Sequence, residues 1–295
     1  MPKVRANGVE LFFEERGDAS APAVLLIMGL GTQMIAWPEP FVQGLADAGF
    51  RVIRYDNRDI GLSTTLDGAR AMHPLLALGM MRLGLKPPLA YSLTDMAKDA
   101  VALLDALGME RAHVVGASMG GMIAQLVAAE WPDRTLTLTS IMSSSGRRGL
   151  PGPTAQLRGK LMQRRPANPT REEAIAAGND ILNLISFPDP AREPDAFRTM
   201  AAEAFDRGYN PMGVRRQLLA ILGDGSRVER LAAIRAPTLL IHGANDPLVP
   251  AANSEDLARA IPGAKLVIVP GMAHDLPPSK TAEMVATIAG HMSQA

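Results

Sequence analysis

Gly116-Ala117-Ser118-Met119-Gly120 joins a short apolar run, Ala112 to Gly116, to a helix-forming segment, Met119 to Glu130. A strand that turns at once into a helix strains the corner residue and presses neighbouring backbones together, so positions two before and two after it have room for almost no side chain. Gly116, Ala117, Gly120 and Gly121 meet that requirement. Such a corner lifts the Ser118 hydroxyl clear of the sheet and aims the positive end of the following helix at any charge that develops there. The pentapeptide alone leaves two readings open. It is either a nucleophile elbow or a glycine-rich turn whose serine merely caps a helix, and the residues gathered around the corner must decide.

The rest of the chain supplies a sheet for that corner. A short strand near Lys3 to Ala6 and an alternating one over Val9 to Glu15 flank Asn7-Gly8, a hairpin turn. Ala23 to Met28 is a continuous apolar run of the kind buried on both faces, closed by Gly29. Then follow a helix over Pro38 to Ala48, a strand over Arg51 to Tyr55, and a Ser-capped helix over Ser92 to Leu107 that ends at Gly108. Beyond the corner, Leu136 to Met142, Thr238 to Gly243 and Lys265 to Val269 read as strands and Thr281 to His291 as the closing helix. Alternating strands and helices with short connections predict an α/β fold: a mostly parallel sheet of about eight strands with helices on both faces. The alternation is suspended from Ser143 to Arg235, where helix-forming stretches such as Arg171 to Leu184 and Asp195 to Phe205 replace β-branched runs. The expected organisation is a core of residues 1–142 and 236–295 with a helical cap, 143–235, inserted into it.

Composition removes several function classes. The 30 basic and 30 acidic residues cancel, and no Lys/Arg run marks a nucleic-acid patch, so nucleic acid is not an expected partner. Without cysteine there are no disulfides, no thiolate catalysis and no Cys-based zinc site, which fits a reducing compartment. The charged start, Met1 to Gly17, lacks the apolar core of a signal peptide, and the chain is expected to be cytoplasmic. Pro74 to Leu89 is apolar, but Arg82 and Lys86 interrupt it and Pro87-Pro88 end it, so it is too short and broken to span a bilayer. It reads either as a packing segment over the core or as a surface that meets lipid or an apolar substrate.

A base for Ser118 must emerge at the carboxyl ends of the strands, where open α/β sheets bind ligands. Of five histidines, His113 begins a strand, His242 lies within one, where a satisfied structural role is expected, His291 is in the closing helix and His73 in the apolar segment. His274 follows the last strand directly, in Pro270-Gly271-Met272-Ala273-His274. The orienting carboxylate should leave the end of an earlier strand, and Asp246, in Gly243-Ala244-Asn245-Asp246-Pro247, does so; the strand Leu136 to Met142 is followed only by Ser143, Ser144 and Ser145. Asp275 is a poor substitute, because an adjacent side chain seldom reaches the same imidazole. The chain order Ser118, Asp246, His274 is the one this strand–turn–helix context predicts for a triad.

Attack on a carbonyl also needs two preorganised backbone donors. The Met119 amide is one candidate; Leu30, in the glycine-flanked loop Met28-Gly29-Leu30-Gly31-Thr32, is the other. That loop, with Asp56 after the next strand, echoes a dinucleotide-binding fingerprint, but Met34 occupies the third glycine position and the preceding hairpin is foreign to that motif.

Together these residues resemble the α/β-hydrolase family over nearly the whole chain, and within it the branch of aclacinomycin methylesterase and macrolide esterases. The resemblance rests on Met28 to Gly31, Trp37-Pro38, Arg54 to Asp59, Gly61, Ser63, the Ser118 elbow, Asp246-Pro247 and Gly271 to His274. Met28 stands where many members carry His, and Asp59 where Gly is common, with Asp56 and Arg58 expected as a structural pair. The resemblance implies hydrolysis of a carboxylic ester through an acyl-enzyme, without metal or cofactor. Candidates for holding the substrate are Met28, Trp37, Met142, Phe187, Tyr209 and Leu248, which favour a bulky apolar ester or lactone. Cofactor-free perhydrolysis on the same triad, and a ligand-binding homologue without turnover, are the alternatives.

Overall fold

The computed structural model describes residues 2–161 and 169–294, so residues 162–168 of the expected cap lie outside the described residues. Its strands are β1 (Lys3–Ala6), β2 (Val9–Arg16), β3 (Ala23–Ile27), β4 (Arg51–Tyr55), β5 (Ala112–Ala117), β6 (Thr135–Ile141), β7 (Thr238–Gly243) and β8 (Lys265–Val269). The helices are α1 (Glu39–Asp47), α2 (Pro74–Arg82), α3 (Leu93–Ala106), α4 (Met119–Glu130), α5 (Ala155–Leu161), α6 (Arg171–Ile185), α7 (Ala196–Arg207), α8 (Pro211–Asp224), α9 (Val228–Leu231), α10 (Ala252–Ala260) and α11 (Thr281–Met292). The strands form one sheet in the order β1-β2-β4-β3-β5-β6-β7-β8. Only the β1–β2 and β2–β4 pairs are antiparallel. The expected α/β fold with eight strands is therefore borne out.

The local physics is visible at both kinds of strand. Asn7 (φ 46°) and Gly8 (φ 81°) both adopt left-handed backbone between β1 and β2, the geometry that matches the natural twist of a two-residue hairpin. Strands β3, β5 and β7 are buried along their whole length, because helices cover both faces of the sheet and leave no side for polar residues. On one face, Phe41, Val42 and Leu45 of α1 pack with Met284, Ile288 and Met292 of α11. On the other, Leu93, Met96 and Leu104 of α3 pack with Ile123, Leu126 and Val127 of α4. Strand β3 lies between β4 and β5, so the chain leaves it in one direction and later returns on its other side. The crevice at the carboxyl ends of β3 and β5 is the place where such sheets bind ligands.

Helices α5 to α9 fall between β6 and β7 and are tied to the loop after β4 by buried ion pairs. Arg207, closing α7, donates to Asp56 at 2.7 Å, and Arg216 of α8 grips Asp59 with two bonds of 2.8 and 2.6 Å. The expected Asp56–Arg58 pair is not formed. The Asp56 carboxylate turns inward to accept the amides of Met34 and Leu62, at 2.8 and 3.0 Å, whereas Arg58 reaches Asp99 of α3 with bonds of 2.6 and 2.5 Å. Asp59 itself has φ 71°, the backbone region that favours glycine, which explains why Gly suits this position elsewhere. Here its carboxylate also accepts the Leu66 amide at 2.8 Å. Among the described residues no helix is long and apolar enough to cross a membrane.

Candidate active site

Ser118 sits at the β5–α4 corner with φ 56° and ψ −118°, strained backbone for a residue with a side chain. The glycines around it are sterically required. A Cβ on Gly116 would lie 2.1 Å from the Gly120 carbonyl oxygen, and one on Gly120 would lie 1.9 Å from that of Ile27. The helix-cap reading of Ser118 fails, since its side chain makes no capping bond to α4. Its backbone is held instead: the amide donates to Ile141 O at 2.9 Å, and the carbonyl accepts the Ser143 hydroxyl at 2.8 Å.

The half-buried Ser118 Oγ lies 3.0 Å from His274 Nε2, and His274 Nδ1 lies 2.7 Å from Asp246 Oδ2. A carboxylate is an acceptor only, so it places the imidazole proton on Nδ1 and leaves Nε2 free to accept from the serine hydroxyl. Asp246 is 7% exposed. Burial by itself would raise its pKa; the charge of His274 and hydrogen bonds from His242, His274 and the Val249 amide outweigh this and pull it down to about 2. The other oxygen, Oδ1, accepts the Leu248 and Val249 amides, each at 2.8 Å. Asp275 is engaged elsewhere, paired with Arg192 and accepting the Ala273 amide at 3.1 Å.

The loop after β3 passes directly beside the serine, for a Cβ on Gly29 would lie 3.1 Å from Ser118 Cβ. Its shape is set by Asn57, which donates to Met28 O at 3.0 Å, and by Gln217 of α8, whose Oε1 accepts the Gly31 amide at 2.9 Å. Among the described residues neither the Leu30 nor the Met119 amide has an acceptor.

The expected substrate contacts separate into three groups. Met28 and Met142 are buried in the core on the α1/α11 face. Trp37 is 0% exposed and stacks on Phe41 with ring centroids 5.2 Å apart. It offers no surface to a ligand and is a core residue, because the apolar α1/α11 layer absorbs the whole indole. Phe187 and Leu248 are half-buried, Phe187 near Gly271 and Leu248 two residues beyond Asp246. Tyr209 is 45% exposed and packs against Phe205, 5.0 Å between centroids; its ring lies on the surface of the inserted helices.

Two further contacts were not foreseen in the sequence, one of them made by His242 in addition to the satisfied structural role expected of it. His242, satisfied by Ser254 Oγ and Val249 O at 2.6 Å each, also brings Nε2 to 3.3 Å from Asp246 Oδ2. The four-residue spacing in His242-Gly-Ala-Asn-Asp246 was its available signal. Ile185, ending α6, accepts the His274 amide at 2.9 Å, a backbone contact with no sequence signal at all.

Comparison with known proteins places the chain. The model of the alpha/beta hydrolase fold family matches residues 22–280. The rhodomycin D methylesterase DauP of Streptomyces sp. strain C5 is 31% identical, over 98% of this chain and 96% of its own length. The rhodomycin D methylesterase DnrP of Streptomyces peucetius is 31% identical, over 96% and 95%. The enol-lactonase from Burkholderia xenovorans LB400 superposes with a TM-score of 0.76 at 24% identity, covering 99% of this chain and 100% of that one, a likeness of fold.

Proposed function

The chain belongs to the α/β-hydrolase family, and on that premise we propose that it is a serine carboxylic ester hydrolase whose triad is Ser118, His274 and Asp246. The observation that carries this reading is the continuous hydrogen-bonded relay from Ser118 Oγ through His274 to Asp246, at 3.0 and 2.7 Å. In the first half-reaction His274 Nε2 takes the hydroxyl proton as Ser118 Oγ bonds to the ester carbonyl carbon. The carbonyl electron pair moves onto oxygen, and the Met119 and Leu30 amides, together with the N-terminus of α4, stabilise that charge. The imidazolium, stabilised by the Asp246 carboxylate, then protonates the leaving alkoxide as the C–O bond breaks. Water attacks the resulting acyl-enzyme with His274 as base, releasing the acid and restoring Ser118.

The named activity of the two Streptomyces relatives supports an ester as substrate. We assign residues 143–235 as a cap over the core and place the apolar part of the ester or lactone against Leu248 and Phe187. A fluorophosphonate probe and turnover of p-nitrophenyl acetate test the nucleophile. Labelling and turnover should both vanish in Ser118→Ala; equal labelling of wild type and variant would show that another residue is attacked.

A further inference from the structure

The four most exposed large apolar side chains among the described residues all lie within one short segment: Leu75 (58%), Leu76 (63%), Leu83 (78%) and Leu85 (54%). Helix α2 explains the grouping. At 3.6 residues per turn, Leu75, Leu76, Gly79 and Arg82, with Leu83 just past its end, occupy an outward arc of roughly 120°. The opposite arc buries Ala77 and half-buries Met80 and Met81 where α2 packs on α8. A surface helix ordinarily presents polar residues on its outer arc. This one is apolar on both sides, so its outer arc calls for an apolar environment.

The charges around the arc decide which one. Between Asp67 and Asp95 the chain carries Arg70, Arg82 and Lys86 and no acidic residue. All three are exposed, and among the described residues none has an acidic partner within ion-pair distance. A second copy seated on this segment by two-fold symmetry would oppose like charges with no carboxylate of the segment to offset them. An anionic bilayer supplies both an apolar interior for the leucines and phosphates for the cations. The nine residues of α2 are too few to span and suit a helix lying in the plane of the headgroups.

We propose that the segment 70–86 docks the protein onto anionic lipid surfaces, with Leu75, Leu76, Leu83 and Leu85 inserted and Arg70, Arg82 and Lys86 at headgroup level. This stands apart from the chemistry at Ser118. The test is flotation of the full chain with vesicles of phosphatidylcholine alone or mixed with phosphatidylglycerol. Wild type should float with the mixed vesicles, release as salt is raised, and stay behind with phosphatidylcholine alone. The Leu76→Glu/Leu83→Glu variant should lose flotation. Arg82→Ala/Lys86→Ala should bind on the order of 30-fold more weakly, from about 1 kcal/mol per cation near the surface. All should hydrolyse dissolved p-nitrophenyl acetate at the wild-type rate, which also verifies that they are folded. Absence of flotation, equal flotation with both vesicles, or a wild-type dimer that Leu76→Glu/Leu83→Glu dissociates would overturn the proposal, the last by giving the face to a second copy.

Discussion

Replacing Asp59 by glycine sets two effects against each other at one residue. Relief of a left-handed φ of 71° is worth at most about 1 kcal/mol for an aspartate, and the extra freedom glycine gives the unfolded chain takes back most of it. On the other side, the Asp59 and Arg216 side chains are 0% and 2% exposed. Removing the carboxylate leaves the guanidinium buried and unpaired, a loss of about 3–5 kcal/mol, and strips the Leu66 amide of its acceptor for about 1 kcal/mol more. Asp59→Gly is therefore expected to destabilise by about 4–6 kcal/mol, a large share of the ~5–15 kcal/mol typical of a folded domain. Urea midpoints at constant slope measure it. Asp59→Gly combined with Arg216→Met removes the orphaned charge and should recover at least half of the loss. The pH arm has a definite sign. Burial would raise the Asp59 pKa, but the hydrogen bonds from Arg216 and Leu66 hold it below the usual carboxylate range. Its contribution is thus complete above the unfolded value and lost as pH falls through the folded one, so the gap between wild type and Asp59→Gly should narrow in acid. An Asp59→Gly protein within about 1 kcal/mol of wild type, or a double variant as unstable as the sum of the single ones, would refute the reasoning.

Three further outcomes follow from a buried group, a close approach and an open position. Burial, with a smaller contribution from His291, pushes the His113 imidazole down to about 4; unfolding lets it take a proton below about pH 6.5, so stability should fall by about 3 kcal/mol as pH drops from 6.5 to 4, and His113→Gln should flatten that part of the pH–stability curve. Gly120→Ala would set a Cβ 1.9 Å from the Ile27 carbonyl oxygen and should lower stability by more than about 4 kcal/mol, read as lost soluble yield or thermal midpoint. Gly290→Ala in α11, where a Cβ meets nothing within 4 Å, should instead stabilise by up to about 1 kcal/mol.

The strands, the corner at Ser118 and the loops carrying Asp246 and His274 were legible because each is announced locally. An apolar run ends, a glycine or proline lies close by, and the candidate residue comes within a few positions of the strand end. The ion pairs had no such announcement. Asp56 and Arg207 are 151 residues apart, and Asp59 and Arg216 are 157 apart, so nothing near either partner specifies the other, and proximity in sequence suggested Asp56–Arg58 instead. Trp37 was ambiguous for a different reason. An indole ahead of a helix fits a binding wall or a core equally well, and only its complete burial, stacked on Phe41, assigns it to the core.

Two acceptors on the inserted helices hold main-chain amides of the loops around Ser118: Ile185 O receives the His274 amide, and the Gln217 side chain receives that of Gly31. The insertion is therefore a structural member of those loops. Exchanging it for a relative's helices to change substrate preference would also alter the setting of the imidazole and of the loop carrying Leu30. Under the proposed role of the insertion, specificity and turnover are expected to vary together, and a graft should succeed to the extent that it brings its own equivalents of Ile185 and Gln217.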